Sequence, residues 1–259
     1  GLTPRPRRLN MINISVVTAV YNRCDTVGEA LDSVLSQTHP SVESVVVDGG
    51  STDGTLAVLE AYRSRVGVLI SEPDHGIYDA LNKGIRLATG DVVGFLHADD
   101  LFADEQVLAE IARIFEDPAV DAVYGDLVYV DAADVSKVIR LWRAGDFAPA
   151  RLREGWMPPH PTLYVRRSVY ERLGGFDTRY RIAADYDSVV RFFGAGGVRA
   201  VYLPRLLIRM RVGGVSNRSL KTIWRKSCED LDVMRRHCVG GVGTLLRKNF
   251  SKVGQFWQR

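Results

Sequence analysis

The first half of the chain alternates short β-branched apolar runs with longer stretches of mixed polarity. Ile14–Val20, Val42–Val47, Val66–Ile70 and the run that starts at Val92 have the composition of buried strands. Between them, Val27–Gln37 repeats apolar residues at 27, 31, 34 and 35, the spacing of an amphipathic helix. Thr55–Ser64 and Ile77–Ala88 read as two further helices. Strand alternating with helix predicts an α/β fold with a mostly parallel, doubly wound sheet. Ligands of such sheets bind beyond the carboxyl ends of the strands, the edge predicted to carry Tyr21-Asn22, Asp48, Asp74 and Asp99.

After Asp121 the pattern loosens. Val123–Val130 and Thr162–Val165 read as extended, and Ser168–Leu173 as a short helix broken by Gly174-Gly175. Ala184–Phe193 has helical spacing, with Asp185 near its start. Trp142–Pro161 reads as loop, and RMRVGGVS, Arg209–Ser216, as a flexible loop. No linker or repeat divides the chain, so the second half is expected on the same sheet.

At 259 residues, 25% of them charged, the chain is long enough for one large domain with an appendage. No apolar run approaches the roughly 18 residues of a membrane span, and no signal-peptide core is visible, which points to the cytoplasm. Residues 1–11 read as an unstructured leader. Cys24, Cys228 and Cys238 lack metal-ligand spacing and read as reduced thiols. The net charge of +3 hides an asymmetry: residues 218–259 hold ten Lys or Arg against three acids. With Trp224, Leu231, Leu245, Leu246, Phe250, Phe256 and Trp257, they predict a basic amphipathic helical tail. Such a tail suits an anionic membrane surface, here the inner face of the plasma membrane, or packs on the core with a solvated basic face. It could equally dock on a second subunit as a homodimer. Nucleic acid is not expected, because no nucleic-acid module accompanies the charge.

The segment richest in chemistry is VVGFLHADD, Val92–Asp100, an apolar run that stops on two adjacent carboxylates. Neighbouring carboxylates repel when both ionise, and a bound cation is one remedy. Hard oxygen ligands suit Mg²⁺ or Mn²⁺ rather than zinc. The alternative is that Asp99 or Asp100 caps a helix beginning near Asp104.

Taken together, ISVVTAVYN, VVVDGGSTDGT, DHGIYDALNKGIRLATGD, FLHADD, GGFD and AADYD resemble the family 2 glycosyltransferases of the GT-A fold, over about residues 12–216. The resemblance implies a glycosyltransferase domain at 12–217. Its nucleotide-sugar half spans 12–100 and its acceptor half 101–217. It implies an inverting, metal-dependent transfer from a nucleotide-diphosphate sugar to a saccharide or lipid-linked acceptor, in cell-envelope glycan synthesis. UDP or GDP donors are favoured over dTDP. Thr18, Ala19, Tyr21 and Asp48 would hold the nucleobase, and Asp74 and Lys83 would contact the donor. Gly49 stands where many relatives have a second Asp. Asp99 and Asp100 match the acidic metal-binding motif, with His97 in its first position, where it ligates metal, bonds ribose or is simply buried. Asp185 aligns with the catalytic base, preceded by Ala184 where relatives often have Glu. Asp187 is the alternative base, since two helical residues two apart point about 200° from each other. Trp156 and His160 would border the acceptor, and Arg211 would close over the diphosphate.

Competing readings are a sugar nucleotidyltransferase, which leaves AADYD without a task, and a non-catalytic nucleotide-sugar or membrane-surface binding protein, which needs no acceptor-side base.

Overall fold

The computed structural model describes residues 11–212 and 220–251. One nine-stranded mixed sheet runs through the chain. Its first half contains β1 (Ile14–Val20), β2 (Val42–Asp48), β3 (Val68–Ser71) and β4 (Val92–Phe95), interleaved with α1 (Val27–Leu35), α2 (Thr55–Tyr62) and α3 (Ile77–Leu87). These strands lie in the order β3-β2-β1-β4, all parallel, with Val17 opposite Val45 and Phe95. Alternate residues of β1 serve opposite faces: Val17 packs with Ala80 and Leu81 of α3, and Val16 with Ala30 and Val34 of α1. Both faces being covered, each strand is a nearly unbroken apolar run.

The second half adds β5 (Leu101–Phe102), α4 (Val107–Phe115), β6 (Ala122–Val130), β7 (Val138–Trp142) and the single turn α5 (Pro149–Leu152). A 3₁₀ turn at His160–Thr162, β8 (Tyr164–Arg166), α6 (Arg167–Leu173), α7 (Ala184–Phe193) and β9 (Ala200–Arg211) complete it. The sheet continues β4-β8-β6-β9-β5, with β7 on β6. β8 runs antiparallel to both neighbours, and β6 and β9 are parallel. Two helices follow, α8 (Leu220–Arg236) and α9 (Val242–Ser251).

Two glycines allow the close approaches that shape the cleft. A Cβ on Gly84 of α3 would lie 2.2 Å from Val17, and one on Gly94 of β4 would lie 2.1 Å from the Tyr164 ring. The first seats α3 directly on β1, and the second lets β4 and β8 share the Tyr164 side chain between them.

The structure departs from the sequence reading in three places. The strand starting at Val92 stops at Phe95, and residues 96–100 turn, closed by the Asp100 N–H donating to the His97 carbonyl at 3.0 Å. β7 lies inside a region read only in part. Arg209–Arg211 are strand, not loop: they end β9, twelve residues long. Pro204 and the arginines disguise β9, since proline argues against a central strand. Here Pro204 falls between the Tyr124–Tyr202 and Asp126–Leu206 pairs, where the register shifts and no ladder bond is asked of it. Residues 1–10, 213–219 and 252–259, parts of the expected leader, loop and tail, lie outside the described residues.

Candidate active site

The turn after β4 sends its two acids in different directions. Asp100 is fully buried; its Oδ1 accepts the Arg211 N–H at 3.2 Å, and its Oδ2 has no partner among the described residues. Burial, then the charge of Asp99, pushes the Asp100 carboxyl well above the usual range, against the pull of Arg211. The Asp99 side chain is 29% exposed and among the described residues pairs with the Arg23 guanidinium, Nε at 3.6 Å. Neither acid caps α4: Asp104 accepts the Gln106 N–H itself, at 2.8 Å.

A divalent cation fits these residues. Asp99 offers an accessible hard oxygen beside a buried Asp100 oxygen that has no partner among the described residues. Among the described residues no three acids, histidines or cysteines cluster tightly enough to hold an ion alone. Asp99 and Asp100 would supply one or two carboxylates, with the remaining positions left to other oxygens, the manner in which Mg²⁺ is bound with phosphates.

Arg211, expected over the diphosphate, is buried under the acids instead. Its Nη1 donates to the Asp99 carbonyl at 2.9 Å and its Nη2 reaches Glu29 on α1 at 2.5 Å. It props the turn from below. Arg23 and Glu29, which join the site here, carried no motif in the sequence.

Opposite the turn stands Asp185, half-buried in the first turn of α7. Its Oδ1 accepts the Tyr186 N–H at 2.8 Å and lies 3.3 Å from the Tyr78 hydroxyl. Oδ2 carries no hydrogen bond among the described residues. Tyr78 also donates to the Ile182 carbonyl at 2.6 Å, and burial together with the Asp185 charge holds its phenol well above its ordinary value. Asp187 faces away: it is buried, bonded to His237 at 2.8 Å and paired with Arg191 at 3.4 Å. Tyr78 sits inside GIYDALNKG, the segment already singled out, but nothing local marked it as a partner of Asp185.

His97 and His160 both lie near enough to Asp185 to feel its charge. Burial lowers the His97 pKa, while the charges of Asp99 and Asp185 both oppose the shift, so both acids lie near this imidazole. His160 is buried, stacks on Phe95 at 5.5 Å and meets Phe176 edge-on at 5.3 Å; burial depresses it to about 4. The folded protein thus binds this proton more weakly than the unfolded chain, whose histidine titrates near 6.5. Stability is expected to fall as pH drops below 6.5, by about 2 kcal/mol between pH 7 and 5 from this residue, levelling off near pH 4. His160→Phe, which keeps the stack on Phe95, should flatten that slope; urea unfolding at pH 7 and pH 5 measures it.

The expected donor-side residues are largely occupied with one another. Asp48 is fully buried and takes hydrogen bonds from the Gly50 and Ser51 N–H groups, both at 3.1 Å, and from the hydroxyls of Ser51 and Ser71. It holds the loop rather than offering a free acceptor. The Thr18 hydroxyl is buried in β1 and has no partner among the described residues. Ala19 is half-buried, and Tyr21 projects from the strand end, 58% exposed. Asp74 accepts the Gly76 N–H at 2.8 Å and lies against Gly49, where a Cβ would come within 2.3 Å of its Oδ2. That contact is a physical reason for Gly49. Lys83 is bound to the Pro73 carbonyl at 3.0 Å and to Glu72 at 2.9 Å. Trp156, expected at the acceptor, donates to the Ala144 carbonyl and packs its ring among Tyr124, Phe147 and Phe193. It belongs to the core wall.

The family model described as "Glycosyl transferase family 2" matches residues 15–174, which include all of β1 but Ile14, β2–β4 and the acid turn. The chain belongs to glycosyl transferase family 2. A PGL/p-HBAD biosynthesis glycosyltransferase of Mycobacterium bovis is 32% identical over 208 residues, 78% of each chain. An uncharacterized glycosyltransferase of Mycobacterium tuberculosis is 31% identical over 185 residues, 69% of this chain and 68% of its own. Among solved structures, S. aureus TarS 1-349 in complex with UDP-GlcNAc superposes with a TM-score of 0.66 at 20% identity, covering 88% of this chain and 66% of that one. The mannosyltransferase PcManGT from Pyrobaculum calidifontis, in complex with GDP-Man and Mn²⁺, gives 0.64 at 23%, over 92% and 69%. Of the longer TarS chain, this family 2 glycosyltransferase spans 39%. The structural likeness carries the GT-A fold. No helix among the described residues of the glycosyltransferase is long and apolar enough to cross a membrane.

Proposed function

We propose that the enzyme transfers a sugar from a nucleoside-diphosphate donor to a hydroxyl of a saccharide or glycolipid, with inversion at the anomeric carbon. The observation that carries this reading is that Asp99, in the turn after β4, and Asp185, in the first turn of α7, both lie close enough to His97 to act on its charge. Asp99, with Asp100 behind it, would hold Mn²⁺ or Mg²⁺ against the donor diphosphate. When bound, the ion neutralises the charge of the departing nucleoside diphosphate. Asp185 takes the proton of the attacking hydroxyl on Oδ2 as the new glycosidic bond forms and the bond to the diphosphate oxygen breaks. An α-linked donor then yields a β-linked product, and the reverse for a β-linked one.

Tyr21, exposed at the end of β1, provides a ring face for the base, and the Asp48-held loop at Gly50-Ser51 borders it. The relatives solved with UDP, UDP-GlcNAc and GDP-Man support UDP or GDP donors. Calorimetric titration of UDP, GDP and dTDP, each with Mn²⁺ and with EDTA, tests the donor assignment. Metal-dependent binding of UDP or GDP is expected; no binding of any of the three overturns it.

The tail supports a lipid-linked acceptor through an anionic membrane surface. Trp224 is 70% exposed and Ile223, Val242 and Leu246 about half, among exposed Arg225, Arg235 and Arg247. Lys226, Lys248 and Arg236 add less to that surface charge, because Asp230 pairs with both lysines and Asp177 with Arg236. Removing 218–259 would therefore damage the core contacts of α8, and Trp224→Glu is the cleaner variant. Wild type is expected to co-sediment with phosphatidylglycerol vesicles and not with phosphatidylcholine, and Trp224→Glu to remain in the supernatant. Equal sedimentation of both proteins sinks the idea.

A further inference from the structure

The loop that delivers Asp185 to the cleft has no cap of its own. Ala183 occupies the N-cap position of α7 and has no side chain able to accept a hydrogen bond. Instead a carboxylate arrives from α8, 46 residues further along the chain. Glu229 Oε2 accepts the N–H groups of Ile182 at 2.8 Å and Ala183 at 3.0 Å, and Oε1 accepts that of Arg181 at 3.2 Å. Three consecutive amides converge on one side chain, and its negative charge sits at the positive end of α7.

The same loop is held from its other side by the tyrosine that touches the base. The Ile182 N–H points to Glu229, while the Ile182 carbonyl takes the Tyr78 hydroxyl, 3.3 Å from Asp185 Oδ1. Glu229 thus fixes the peptide that fixes Tyr78, and Tyr78 sets where Asp185 stands. The rest of α8 is anchored independently of Glu229. Asp232 accepts the Tyr180 hydroxyl at 2.6 Å, and His237 bonds Asp187. Asp230 is enclosed with Lys226 and Lys248, and Lys248 Nζ lies 3.1 Å from the centre of the Tyr186 ring. With those contacts intact, loss of Glu229 releases the loop without undocking the helix.

We propose that Glu229 is a positioning residue for glycosyl transfer, orienting Asp185 through the Arg181–Ala183 amides and Tyr78, and that the C-terminal helix is therefore part of the catalytic apparatus. This rests on Asp185 being the base. The full 259-residue chain is compared as wild type, Glu229→Gln, Glu229→Ala and Asp185→Asn. The readouts are release of UDP from UDP-N-acetylglucosamine and of GDP from GDP-mannose with Mn²⁺, UDP and GDP affinity by calorimetry, and amide exchange at residues 181–183.

Glu229→Ala is expected to lower kcat by about 10- to 100-fold, the scale of a misplaced catalytic group, with nucleotide affinity unchanged. Glu229→Gln, which keeps one accepting oxygen, should fall between Ala and wild type. Adding Glu229→Ala to Asp185→Asn should cost nothing more. The amides of 181–183 should exchange slowly in wild type and faster in Glu229→Ala. Wild-type turnover in Glu229→Ala, fast exchange of those amides in wild type, or loss of nucleotide affinity in step with turnover each overturns the proposal. Full turnover in Asp185→Asn would instead remove the base assignment beneath it, whereas an inactive Asp185→Asn beside a fully active Glu229→Ala removes only the positioning role.

Discussion

Asp185→Asn is expected to lower kcat by about 10³- to 10⁴-fold while leaving nucleotide affinity at the wild-type value. The substitution conserves shape, and the amide oxygen can still accept the Tyr186 N–H at 2.8 Å. What it removes is the anionic oxygen that accepts a proton. The donor side is untouched, because Asp99 and the β1 and β2 loops belong to the other half of the sheet. Initial rates of nucleotide release, with calorimetric UDP or GDP affinity alongside, separate the two quantities. A loss under about tenfold would remove Asp185 from the base role. Asp187→Asn is the matched control two residues on. Its partners His237 and Arg191 are structural, so its expected effect is on thermal stability, with kcat close to wild type.

The second large effect is expected at Asp99. Asp99→Ala should weaken nucleotide binding in Mn²⁺ by about 100-fold or more, roughly 2.7 kcal/mol, and leave the residual binding in EDTA unchanged. The fold should not suffer, since the side chain is partly exposed and makes one 3.6 Å ion contact with Arg23. Titration of the variant with and without metal, and one thermal melt, decide the point. Equal loss in Mn²⁺ and EDTA would show that Asp99 contacts the nucleotide directly and not through a cation.

Legibility in the sequence follows burial. β1, β2 and β4 are covered on both faces, so they read as apolar runs, and α1 and α3 each show one apolar stripe. β9 lies inside the sheet between β6 and β5, yet Pro204, Arg205, Arg209 and Arg211 conceal it, because Arg205 and Arg211 pair with acids of other elements and not with the core. The acid pair was visible as a pair. Which acid faces the cleft was not, since that depends on a turn between Phe95 and Leu101 that adjacent residues cannot encode alone. The intramolecular partners of Trp156 and Arg211 were not legible, because an aromatic and a guanidinium look alike in sequence whether they meet a substrate or another part of the protein.

By itself the sequence determined the α/β order of elements and the family, and it singled out Asp99 and Asp185 as candidates. Those are local properties, carried by periodicity and by short runs whose spacing survives any rearrangement of the rest. Only the tertiary structure decided that Asp99 is accessible while Asp100 is buried, and that Asp185 and not Asp187 faces His97. It alone brought a glutamate 46 residues away onto the loop of the base. The physical reason is that burial and partnership belong to pairs of distant segments. A carboxylate becomes a ligand, a base or a brace according to which other chain segment packs against it.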